Sequence, residues 1–141
     1  MSLWDWAVEA YLREGVSEVC LALQDEHGQN VCYLLWAVWA APDHPALLSG
    51  AGLAREWDSV VLKPLRGVRR RLPASELRED LKTVELKAER ALLEALEGVG
   101  AAGVGDPLES LERAVAIWGK PAPAPALQRL AEAVSGIEEP R

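Results

Sequence analysis

Several things that this chain lacks narrow what it can be. It has two cysteines in 141 residues, too few for the disulfide framework of a small secreted domain. Its first residues, MSLWDWAVEA, have neither the basic start nor the apolar run of a secretory signal. Both points predict a reducing, cytoplasmic setting. The longest apolar run, Val31 to Ala41, falls well short of the about 20 residues that cross a bilayer. Positive charge is scarce: 15 Lys and Arg against 22 Asp and Glu, a net charge of −7. That balance disfavours non-specific attraction to nucleic acid or to an anionic membrane, so neither is expected as a partner. Period-two alternation is missing, so no strand is expected, and there is no internal repeat. Phenylalanine is absent, while there are six tryptophans, each bringing a large ring to bury and an N–H that needs an acceptor.

What is present is helical patterning. Ser2 can cap a helix over Leu3 to Arg13, and Ser17 opens a second whose end is marked by His27 and Gly28. Asn30 can cap a third, apolar almost all round as far as Pro42, which belongs at the centre of the molecule. Pro42 to Gly52 reads as a loop, with a short turn possible at Ala46 to Ser49. A fourth helix starts near Leu53, and Pro64 predicts a kink or a fresh start within it. Ser75 caps a long helix reaching Glu97, with a main stripe of Leu77, Leu81, Val84, Ala88, Ala91, Leu92 and Ala95. Leu86 and Leu93 fall on its other side and need a cover. The returning C-terminal helices are expected to supply it, with a second copy of the chain as the alternative. The glycine-rich stretch 98–105 reads as a flexible connector, followed by helices from Asp106 to Trp118 and from Leu127 to Val134 and by a mobile GIEEPR tail. The expected fold is all-α: a compact bundle of about five to seven helices around a central apolar helix, with two less tightly attached C-terminal helices. Residues 1–97 form its core, 98–105 the connector, and 106–141 an extension that folds back.

LQDEHGQNVC, residues 23–32, is the densest polar cluster. Cys32 or Cys20 as nucleophile, His27 as base and Asp25 as its orienting group would make an enzyme. A nucleophile needs an accessible thiol of lowered pKa, however, and both cysteines sit among Val, Leu and Trp. Cys20, His27, Cys32, Asp25 and His44 could bind zinc by chemistry, but the close pairs of metal sites are missing; no metal and no cofactor is expected. The simpler reading is a corner: Gly28 ends one helix, Asn30 caps the next, and Gln24 and Asp25 satisfy backbone groups of the turn. Even so, a corner does not require Gln24, Asp25, His27 and Asn30 together. The sequence GVGAAG, residues 98–103, matches a dinucleotide-binding glycine spacing but lacks the strand that must precede it.

KPLRGVRRRL is the one local basic patch. On a helix Lys63, Arg66 and Arg70 fall within about 60° of one another, opposite Val61, Leu65, Val68 and Leu72. Such a stripe can bind anions, or it can pair with Glu76, Glu79, Asp80 and Glu85 of the next helix. Trp4 and Trp6 lie about 200° apart on a helix, so one of them is half exposed or lines a groove.

The segments LWDWAVEAYLREGVSEVCLALQDEHGQNVCYLLWAVWAA, PLRGVRRRL and ELKAERALLEAL together resemble a family of short bacterial helical proteins known as a domain of unknown function, with CLALQDEHG as the most specific part. That resemblance implies a helical fold but no activity, substrate or cofactor. Where the family pattern has Asp-Val-Asn, this chain has Asn30, Val31 and Cys32, which weakens Cys32 as a nucleophile. The function expected from the sequence is a non-catalytic cytoplasmic interaction or small-ligand-binding module, monomeric rather than dimeric. It would use Gln24, Asp25, His27 and Asn30 with Trp4 and Trp36 and the cations Lys63, Arg66 and Arg70. The alternatives are the Cys32, His27 and Asp25 enzyme and an anion or nucleic-acid binder built on Lys63, Arg66, Arg69, Arg70 and Arg71.

Overall fold

The structure, a computed structural model, describes residues 1–137. Among them the chain forms seven continuous helical rods and no strand. These are α1 (Leu3–Leu12), α2 (Val16–His27), α3 (Val31–Ala40), α4 (His44–Trp57), which runs through a π turn at Asp58–Leu62 into α5 (Lys63–Arg71), α6 (Glu76–Val99), α7 (Pro107–Trp118) and α8 (Ala124–Val134). Ser2, Asn30, Asp43, Ser75 and Asp106 each cap a helix by accepting a backbone N–H three residues on.

Helix α3 is the centre. Every residue of it except Val38 is buried, and α7, α6, α4, α1 and α2 all pack on it. Its polar atoms leave through specific bonds: Tyr33 Oη donates to Leu47 O at 2.9 Å and Trp36 Nε1 to Gly100 O at 3.0 Å. Buried rings of this kind are tolerated because each donor finds a carbonyl.

The stretch read as a loop after Pro42 is instead the first half of α4. Asp43 and Pro45 start it as cap and first-turn proline, and Leu47 is fully buried. The two mid-helix glycines disguised it, because glycine is a poor helix former. Gly50 is there for packing: the Trp36 ring lies where a side chain would otherwise sit. Pro64 falls at the start of α5, where its missing N–H is tolerated. The turn before it is wound wider, so that Lys63 N–H bonds back five residues to Asp58 O.

Helix α6 presents a rotated face. Glu85, Leu92, Leu93 and Leu96 are its buried residues, whereas Leu77 and Val84 of the expected stripe are exposed. Two of the residues nearest the core line are acids, Glu85 and Glu89, which the sequence pattern assigns to solvent. The C-terminal helices do fold back, α7 onto α3 and α4 and α8 onto α2 and α7, but not onto Leu86 and Leu93. Those two flank a groove shared with α1, with Leu93 at 3 % and Leu86 at 53 % exposure. The glycine stretch between α6 and α7 lies against α3: Gly103 N–H bonds to Trp39 O at 3.2 Å, and a Cβ on Gly103 would lie 2.1 Å from Ala40 O. Its glycines therefore serve close approach, not a pyrophosphate. Of the expected mobile tail GIEEPR, positions 138–141 lie outside the described residues.

This packing separates two helical glycines. A Cβ on Gly50 would meet Trp36 Cζ3 at 2.4 Å, while Gly52 faces open space. Gly50→Ala is therefore expected to destabilise by about 1–3 kcal/mol through overpacking, and Gly52→Ala to stabilise by about 0.5–1 kcal/mol. Urea unfolding of the two variants measures both. Equal effects would contradict the seating of Trp36 on Gly50.

Candidate functional site

Helix α5 contains no buried residue, and its inner side is polar. Arg66 Nη2 donates to Gln24 Oε1 at 2.9 Å and lies 3.9 Å from Glu89, while Nη1 is 3.9 Å from Asp58. Arg69 pairs with Glu85, and Arg70 Nη2 meets Asp25 Oδ1 at 3.0 Å. The polar corner after α2 and the basic stripe of α5 are thus the two sides of one seam, closed along α6 by Glu85 and Glu89. Val60 and Val68 face outward and are exposed. The segment packs by a mixed edge: Lys63 and Arg70 of the expected charged face are exposed, whereas Arg66 and Arg69 are half-buried together with Val61, Leu65 and Leu72.

The centre of the seam is dry, with the Arg66 side chain 13 % and Asp58 6 % exposed, while the Arg70–Asp25 pair at its edge is open to solvent. Burial pushes the carboxyls of Asp58 and Glu89 above their ordinary values, and the nearby Arg66 guanidinium opposes that shift in both. Asp58 Oδ1, Glu85 Oε1 and Asn30 Nδ2 are buried without a hydrogen-bond partner. The Asn30 amide faces Asp58 and eases its ionisation, although no bond closes on Nδ2. Such under-satisfied groups are uncommon in native interiors.

Two cavities adjoin the seam. The first is a groove of about 300 Å³ between α1, α3 and α6. Trp4, Val8, Leu12 and Leu86 form its rim and Ala7, Leu35 and Leu93 its deeper walls, with Cys32 and Glu89 on the side towards the seam. Glu89 is the one charged residue on these walls. The Arg90 guanidinium covers the outer ring of Trp4, 4.9 Å from the centroid. Tyr11 lines the groove at 41 % exposure, yet its hydroxyl reaches the Cys20 thiol and burial at that end raises its pKa. The second cavity, about 270 Å³, is bounded by Gly28, Arg55, Asp58, Lys63, Trp118 and Lys120. Asp58 belongs to both this cavity and the seam.

The sequence-derived candidates separate accordingly. Gln24, Asp25, Asn30, Arg66 and Arg70 come together in the seam; Lys63 lines the second cavity and Trp4 the groove. Trp36 is fully buried and committed to Gly100. His27 sits half-buried at the end of α2, where its carbonyl accepts from Gln29 Nε2 at 3.5 Å. The corner has the expected geometry, with Gly28 at φ 62° and Asn30 capping α3. Gln24 and Asp25, however, reach arginines of α5 rather than backbone groups of the turn. Cys32 donates to Glu89 O at 3.8 Å and Asp25 pairs with Arg70, so neither is hydrogen bonded to His27. Burial drives the Cys32 thiol well above its ordinary pKa and raises Cys20 to about 12, the opposite of nucleophile activation. Among the described residues no three of His, Cys, Asp and Glu are grouped to hold a metal ion. Asp58, Glu89 and Tyr11 were missed. The available signal was the i,i+4 pair Glu85 and Glu89 together with the i,i+3 pair Arg66 and Arg69, two sets that can face each other across a helix contact.

The chain belongs to the family described as "Protein of unknown function (DUF2390)", which matches residues 2–96. That span holds the whole seam and the whole groove, while Trp118 and Lys120 lie beyond it. No curated protein and no solved structure matches the chain.

The raised carboxyls have a measurable consequence. The folded state binds their protons more tightly than the unfolded chain does. Their contribution to stability is therefore complete below the ordinary values of 3.8 and 4.5 and is lost as pH rises through the raised folded values. Glu89→Gln removes one of the two. In urea unfolding between about pH 4 and pH 7, spanning the ordinary and raised values, this variant is expected to lose less stability on the way up than the parent chain. At neutral pH it should be at least as stable. A less stable variant with an unchanged pH slope would refute the assignment.

Proposed function

We propose that this protein is a non-catalytic small-ligand-binding module whose ligand is an apolar chain or ring ending in a hydrogen-bond donor, such as an amine or a hydroxyl. The observation that carries this reading is the groove: about 300 Å³, walled almost entirely by apolar side chains, with Glu89 the one acidic residue among those that line it. A concave apolar site with one directional polar group is the usual form of a small-molecule pocket. Glu89 sets the polarity of the ligand, because a half-buried acceptor carboxylate rewards a donor and repels an acid. Its raised pKa also favours a partner that supplies positive charge or a proton.

A binder fits these residues better than an enzyme. The thiols are buried and held protonated, and Asp25 and Glu85 are paired with Arg70 and Arg69. A nucleic-acid reading loses most of its cations for the same reason, since Arg66, Arg69 and Arg70 each face an acid of the same chain. The two free cysteines accord with a reducing cytoplasm, and no helix among the described residues is long and apolar enough to cross a membrane. The groove is complete within one chain, so the reading takes the monomer as the working unit.

Octylamine, octanol and octanoate, titrated calorimetrically into the full chain, provide the test. The amine and the alcohol are expected to bind, and octanoate to bind about tenfold or more weakly. Val8→Trp, at the exposed rim, should weaken the amine by a similar factor by filling the mouth. Equal binding of octanoate and octylamine, or no binding of any of the three, would reject the reading.

A further inference from the structure

The second cavity points to a different ligand. We propose that it binds a small oxyanion carrying its own hydroxyl hydrogen, with hydrogen phosphate as the simplest case. This inference is independent of the groove and its ligand.

The first support is charge. In a chain of net charge −7, three cations from three elements converge on one cavity of about 270 Å³: Arg55 from α4, Lys63 from the start of α5, and Lys120 from the loop after α7. Arg66, Arg69 and Arg70, by contrast, are used internally. The ammonium groups of Lys63 and Lys120 have no hydrogen-bond or ion-pair partner among the described residues. Arg55 spends only Nη2 on the protein, donating to Ile117 O and Trp118 O at 2.9 Å each. Those bonds cap the carbonyl end of α7 and hold the guanidinium over the Trp118 ring, 5.0 Å from its centroid. The remaining Arg55 N–H groups are unspent, and a guanidinium fixed in this way is already oriented for an oxyanion.

The second support is construction. The loop after α7 is fastened to the corner by Trp118 Nε1 donating to Gly28 O at 2.8 Å and by Gln29 Nε2 donating to Lys120 O at 2.8 Å. Gly28 leaves the space that Lys120 uses, since a Cβ there would lie 2.9 Å from Lys120 Cδ. Across the cavity the π turn sets Lys63 five residues after Asp58 on one widened turn, joined by the Lys63 N–H to Asp58 O bond. Single π turns inside α-helices recur at functional sites, and this one delivers both a cation and an acid to the cavity wall.

The acid specifies the anion. Asp58 is the one carboxylate on the wall and repels a bare oxyanion oxygen, but it accepts an O–H. Hydrogen phosphate, or a phosphoryl group on a hydroxyl-bearing carbon skeleton, offers that donor together with oxygens for the three cations. Sulfate is fully ionised at neutral pH and offers none.

The experiment follows the amide of Gly28 and the indole N–H of Trp118 by NMR in the full chain, titrating inorganic phosphate, sulfate and glycerol 3-phosphate at ionic strength held constant with chloride. Saturable shifts at both positions with phosphate are expected, and about tenfold or weaker binding of sulfate. Lys63→Gln and Lys120→Gln should each weaken phosphate about tenfold, with both variants still unfolding cooperatively in urea. Lys82→Gln, whose ammonium pairs with Glu79, serves as the control and should change nothing. Tighter binding of glycerol 3-phosphate than of phosphate would identify an organic phosphate as the ligand, and weaker binding the free ion; both support the site. Indistinguishable phosphate and sulfate, shifts that do not saturate, or lysine variants that bind like the parent would overturn it.

Discussion

The rest of this structure depends on Arg66, a largely buried cation with Gln24, Asp58 and Glu89 around its guanidinium. Removing a charge from water costs several kcal/mol after relaxation, and only close partners offset it. Arg66 has one hydrogen bond of good length and two acids at 3.9 Å, so one guanidinium serves two carboxylates and satisfies neither fully. Burial therefore shifts both acids upward with only partial compensation from Arg66, and Asp58 Oδ1 is left without a hydrogen-bond partner. Well-packed apolar residues in place of a buried ion pair are often as stable or more so.

The apolar side of the molecule answers to α3. Because almost all of that helix is buried, its neighbours must approach closely, and the small residues around it are placed for that purpose. Gly50 admits Trp36, while Gly100 and Gly103 bring the stretch between α6 and α7 within bonding distance of Trp36 Nε1 and Trp39 O. The same approach of α6 sets the line of Leu92, Leu93 and Leu96 against the core. It leaves Leu86 standing across from α1, so the groove is the gap left where a helix turns acids, not leucines, towards its second partner.

How much of this was legible follows from what periodicity measures. The caps at Ser2, Asn30, Ser75 and Asp106 and the central place of α3 were readable, because capping chemistry and an all-round apolar helix are local properties. The first half of helix α4 was not, because Gly50 answers to a ring that is distant in sequence. The face of α6 was misjudged for a related reason: a hydropathy stripe counts Glu85 and Glu89 as solvent groups, and only contact with Arg69 and Arg66 makes them interior. At the candidate site, Gln24, Asp25, Asn30, Arg66 and Arg70 were recognisable as surplus polarity and as a basic stripe. That the two are one seam is a tertiary fact, and Asp58, isolated between Trp57 and Ser59, carried no local signal at all.

The family match covers residues 2–96 of the chain. Everything that forms the groove and the Arg66 cluster falls within the family match at residues 2–96. The second cavity takes its far wall from Trp118 and Lys120, beyond that match. Asp58 stands between them, exchanging field with Arg66 on one side and with Lys63 and Lys120 on the other. In the 2–96 region alone, Asp58 would face Arg66, Lys63 and whatever filled the place of Lys120. Helices α7 and α8 therefore do more than cover α3: by carrying Lys120 to the corner at Gly28 they change the charge seen by a carboxylate that the matched region leaves incompletely paired.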